Sequence, residues 1–95
     1  MNEPPRLDQT IEQGRQAQIT TLVADYGDDW ANGYLPGTNG CHELLDRTSI
    51  IGDMLESHIL EHPACIANPE WYQLAEQATT LLRELYQRVG AEHLS

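Results

Sequence analysis

The chain has 95 residues, with fifteen acidic side chains against five basic ones, all arginine, for a net charge of −10. That balance argues against nucleic acid and anionic membranes, both of which are bound largely through positive charge. No run approaches the roughly 20 apolar residues of a membrane span, and the opening MNEPPRLDQ lacks a signal peptide's basic-then-apolar pattern, so a cytoplasmic location is expected.

A chain this short buries only about 60–65% of its unfolded surface. It forms one domain at most and relies on tight helix packing, a metal, disulfides or a partner. Residues 1–7, with Pro4-Pro5 and little apolar content, read as a loose tail before a single helical domain over 8–95.

The first predicted helix covers about 10–26. Thr10 with Gln13 has the spacing of a capping box. Ile19, Leu22, Val23 and Tyr26 follow helical periodicity, and Gly27 is a natural stop. Residues 27–40 then carry loop chemistry and exceed the usual helix–helix connection. Asp28 and Asp29 are adjacent acids there, without the alternating ligands of a calcium loop. Tyr26, Trp30 and Tyr34 are spaced by four, so a helical turn would align them.

The second predicted helix spans 41–62, capped by Thr38 or Asn39. At about 100° per residue, Leu44, Thr48, Ile51, Leu55, His58, Ile59 and His62 share a stripe, read as the seam toward a partner helix. Asp46, Asp53 and Glu56 lie opposite. Leu45, Ile50, Met54 and Leu60 fall outside that stripe. One neighbour cannot cover both sets, so the first helix, a second subunit or a target must cover the remainder. Gly52 leaves room for a neighbouring backbone.

Pro63 ends this helix. Asn68-Pro69-Glu70 opens the last one over 68–89, with cap, N1 proline and first-turn acid in order. Trp71, Leu74, Ala75, Ala78, Leu81, Leu82, Leu85 and Val89 form its apolar stripe, and Gly90 is read as its end. The short connection makes the last two helices an antiparallel αα-hairpin. The expected fold is all-α: this hairpin with the shorter first helix packed against it, like a three-helix bundle.

The half of the chain running LLDRT…HPACIANPEWYQLAEQATTLLRELYQRVG resembles in style small helical proteins of bacteria and their phages. That resemblance transfers no functional residue.

Two constellations carry candidate chemistry. His58 and His62, four apart, with Cys65 just beyond the helix end, make a three-ligand set for zinc or another transition metal. Neither CxxC nor HExxH accompanies it. Hairpin topology also returns His93 toward Cys41 and His42. Cys41 and Cys65, at opposite ends of one helix and roughly 30 Å apart, are expected as free thiols. No nucleophile motif or phosphate-binding glycine loop occurs, so no enzyme is expected.

The function expected is therefore a small acidic protein-interaction module that regulates or inhibits a larger, basic-surfaced partner, or that dimerises through the central helix. It would act through Leu45, Ile50, Met54 and Leu60, with Asp28, Asp29, Trp30 and Tyr34 of the loop. Mimicry of a phosphate ladder by the acids is a subtype of this reading. Metal binding through His58, His62 and Cys65 is the alternative.

Overall fold

The structure, a computed structural model, describes residues 7–95. Residues 1–6 of the expected tail lie outside the described residues. The chain is all-α, with α1 at Gln9–Tyr26, α2 at Asn39–Met54 continued by a π-helical turn at Leu55–Leu60, a short α3 at Pro63–Ile66, and α4 at Pro69–His93. It divides into two compact units, Met1–Asn32 and Gly33–Ser95.

In the first unit, α1 is held by local interactions. Its cap is Asp8, not Thr10: the Asp8 carboxylate accepts from the Thr10 and Ile11 amides at 2.8 and 3.0 Å. A carboxylate two residues earlier outcompetes the threonine because it is charged and faces the positive helix end. Gly27 closes the helix with φ 87°, its N–H bonding the Val23 carbonyl, which is the left-handed stop that glycine favours. On the surface Arg15 donates through Nε and Nη2 to the two oxygens of Glu12, both at 2.8 Å, and Gln16 adds a third bond at 2.8 Å. No residue of α1 is buried.

Residues 28–34 form turns and not a helix, so the spacing of Tyr26, Trp30 and Tyr34 is not expressed as a helical face. Three glycines and a proline over 33–40, with asparagine, favour turn geometries over continued helix.

The second unit is the predicted hairpin, α2 and its π turn packed along α4. Thr38 caps α2, its hydroxyl accepting from the Cys41 amide at 3.3 Å. Asn68 caps α4, its side-chain oxygen accepting from Glu70 and Trp71 at 3.1 Å each, with Pro69 at the first helical position. Gly90 does not end α4. It keeps a negative φ, since only Gly27 and Gly37 have positive values among the described residues, and a glycine stops a helix only by turning left-handed. α4 therefore runs one turn further, to His93.

Candidate docking surface

The two long helices meet through small residues. Cys41, Leu45, Thr48 and Gly52 are buried along α2, Leu60 in the π turn, and Ala75 and Thr79 on α4. Buried hydroxyls here satisfy themselves on their own helices, Thr48 Oγ1 donating to the Leu45 carbonyl at 2.9 Å and Thr79 Oγ1 to that of Ala75 at 2.8 Å. Apart from Leu45 and Leu60, this seam is built of cysteine, threonine, glycine and alanine, so it removes little apolar surface from water. No side chain among the described residues is completely buried, and Leu60, Cys65 and Ala75 form a buried hydrophobic cluster.

This seam corrects the sequence expectation. The stripe of Leu44, Thr48, Ile51, Leu55, His58, Ile59 and His62 was read as facing the neighbour; of these Thr48 is buried, but the buried row is Cys41, Leu45, Thr48 and Gly52, turned about 60° around the helix at 100° per residue. Leu45 and Leu60, assigned to an interaction surface, are core. Ile50 and Met54, from the same set, are exposed. Hydrophobicity singles out the largest side chains, whereas the buried row mixes leucines with cysteine, threonine and glycine.

The π turn completes the rearrangement. Within it the Glu61 amide bonds the Glu56 carbonyl, five residues back, at 3.0 Å. A turn that holds one extra residue delays everything after it. In α geometry Ile59 would continue the row from Gly52. Here Leu60 takes that place, and Ile59 is left outside.

Consequently, apart from Ile50 and Met54, seven large apolar side chains gather on one side of the hairpin. Leu44, Ile51 and Ile59 stand along α2 and the π turn, and Trp71, Leu74, Leu81 and Leu85 along α4, each about half exposed, from 44% at Leu85 to 65% at Leu81. At one end they border an open groove of about 540 Å³, lined by Leu55, His58, Ile59, His62, Ala64 and Cys65, with Trp71, Leu74, Ala75 and Ala78 across from them. No acidic side chain lines it.

The opposite side is polar. Arg83 crosses from α4 and donates through Nη2 to Asp53 Oδ1 at 2.8 Å and Glu56 Oε1 at 3.1 Å, bonds that raise its pKa above the usual guanidinium value. Two acids of the expected phosphate-mimicking face are therefore neutralised within the chain. Arg83 went unnoticed in the sequence. Its signal was an arginine next to Leu82 on the most apolar helix, one step off the stripe.

His58, His62 and Cys65 do share the groove. His62 Nδ1 is engaged, accepting from the Ala64 amide at 3.0 Å as the cap of α3. Among the described residues no three His, Cys, Asp or Glu side chains are grouped to hold a metal ion. Both cysteines are free and buried. At the other end the return of His93 is as expected: its ring centroid lies 5.4 Å from that of His42, and its Nδ1 accepts from the Gly37 amide at 2.8 Å. His42 Nε2 lies 3.6 Å from Asp46 Oδ2. Of the loop candidates, Asp28, Asp29 and Tyr34 are exposed and Trp30 is half-buried.

No family model matches the chain, and no curated protein or solved structure is significantly similar to it. No described helix is long and apolar enough to cross a membrane.

Proposed function

We propose that this chain is a non-enzymatic protein-interaction module, a small acidic regulator or inhibitor that works by docking. The observation that carries this reading is the apolar side of the hairpin, where seven large side chains stand about half exposed beside an open, acid-free groove. Contiguous apolar patches of this extent on small proteins mark association surfaces. The polar side supplies solubility and, through its acids, steers basic partners toward the chain.

The test is quantitative capture with matched variants. Leu74→Gln removes apolar surface from the face, and Glu76→Gln alters the polar side of the same helix. Association, with another protein or with itself, is expected to weaken with the first variant and to persist with the second. Association indifferent to Leu74→Gln would overturn the assignment of the surface, and no association of any kind would overturn the module.

A further inference from the structure

We infer that the occupant of the apolar side is a second copy of this chain, two hairpins docking face to face as a symmetric four-helix arrangement. The inference rests on the interaction reading above and names its partner.

Spacing is the first argument. α4 carries two adjacent rows that repeat every three or four residues, and α2 carries one such row with a sparser apolar set beside it. On α4 one row, Ala75, Thr79, Leu82 and Tyr86, runs along the intrachain seam, with Ala75 and Thr79 buried and the other two half-buried. The second, Trp71, Leu74, Ala78, Leu81 and Leu85, is exposed throughout. On α2 the buried Cys41, Leu45, Thr48 and Gly52 are flanked by a sparser set, Leu44, Ile51 and Leu55, seven and then four residues apart. Alternating steps of three and four produce a straight seam that receives another helix. Apolar positions left over on both helices beside the seam already used call for a second pair of helices, and a second hairpin presents the identical set. Two-fold symmetry makes that surface self-complementary.

Area is the second. The seven large side chains, each about half exposed, offer on the order of 700 Å² per copy, against about 800 Å² per partner in a standard stable interface. The groove walls extend the contact.

Charge is the third. Two chains of net charge −10 can associate only through a surface that keeps their acids apart. Asp53 and Glu56 are tied to Arg83 on the polar side, and no acid lines the groove. Docking through the apolar side sends these acids outward in both copies. The small intrachain core adds a further reason. A hairpin that buries so little needs its cover whenever it is folded, and a second copy is present wherever the chain is.

The experiment is sedimentation equilibrium of the full chain across micromolar concentrations, together with melting at each concentration. The expected result is a dimer whose melting temperature rises with protein concentration, as it does when folding and association are linked. Leu81→Gln is expected to weaken self-association by roughly 100-fold or more, while Ile50→Gln, exposed on another side, leaves it unchanged. Should Leu81→Gln fail to fold, intermolecular NOEs from the Trp71 ring in a mixed-label wild-type dimer locate the face without a variant. A wild-type monomer at every concentration, with a concentration-independent melting temperature, overturns the second copy. So does a dimer disrupted by Ile50→Gln and not by Leu81→Gln. If that monomer still captures another protein, and Leu74→Gln abolishes the capture, the interaction module stands without the dimer. A monomer that captures nothing removes both.

Discussion

The guanidinium of Arg83 lies over Gly52, so close that a Cβ at residue 52 would stand 2.8 Å from Nη1. The sequence anticipated a close approach at this glycine, but by backbone; a side chain fills the space. Arg83 uses it to reach Asp53 and Glu56 on the same helix as Gly52. Gly52→Ala displaces only the end of a flexible side chain. Helix propensity then gains about 1 kcal/mol, while two partly exposed ion pairs, each a small contribution in solvent, are weakened. The expected outcome is a change in unfolding free energy within about 1 kcal/mol of zero. A cycle with Arg83→Ala should show coupling between the sites. A large destabilisation, read by chemical denaturation, would contradict this balance.

Gly14 and Gly40 should respond in opposite ways. Nothing lies within 4 Å of a Cβ at Gly14, which is exposed in α1, so Gly14→Ala should stabilise that helix by about 1 kcal/mol. At Gly40 a Cβ would collide with the Gly33 carbonyl and the Tyr34 ring, and backbone cannot swing aside. Gly40 also donates its N–H to that carbonyl at 3.1 Å. Gly40→Ala should cost roughly 1–3 kcal/mol, the range for overpacking, and lower the melting temperature. Thermal denaturation monitored by circular dichroism separates the two.

Acid should loosen α1 in a defined window. Hydrogen bonds from Arg15 and then Gln16 hold the Glu12 carboxyl at a pKa of about 2, below its ordinary 4.5. A folded-state pKa lowered in this way gives stability that is complete above about 4.5 and is lost as pH falls through about 2. The site is solvent-exposed, so the effect is modest. NMR Cα shifts over residues 9–26 should drift toward coil across that interval, and Glu12→Gln should shrink the drift. Equal drift in the variant would show that Glu12 is not its source.

His93 fastens the turn at Gly37 to the end of α4. Because Nδ1 accepts the Gly37 N–H, that nitrogen must be unprotonated for the bond to exist. His93→Ala should raise the amide exchange rate of Gly37 roughly fivefold, which corresponds to about 1 kcal/mol for a single hydrogen bond. Amides in the middle of α4 serve as the unchanged reference. If Gly37 exchanges at the same rate in both proteins, the bond does not hold the turn.

The hairpin was legible because its signals are local. Asn68-Pro69-Glu70 and Pro63 fix element ends through a few adjacent atoms, and long apolar periodicity fixes the type. The return of His93 to His42 followed from topology. The facing of α2 was not legible, since a wide apolar arc contains both the row that packs within the chain and the row beside it, and side-chain size favours the wrong one. Leu60 was misplaced for a second reason: counting at a constant 100° fails where the backbone bonds five residues back. Gly90 was read as a stop because residue type alone does not reveal the sign of φ. The candidate surface was therefore visible as an excess of apolar residues, and only the structure separated Leu45 and Leu60 from the exposed side chains.

The π turn also bears on how tolerant this chain is to changes in length. Removing one residue from a regular helix swings all that follows by about 100° and exchanges core for surface. Between Leu55 and Leu60 the opposite holds. Omitting Ser57, an exposed residue inside the wide turn, would tighten the backbone to ordinary α geometry while keeping the leucine now at 60 in its buried place. The same omission a few turns earlier, between Leu45 and Thr48, would unseat the whole row downstream. The hairpin thus carries one spare residue, and its position is where related chains can differ in length without refolding.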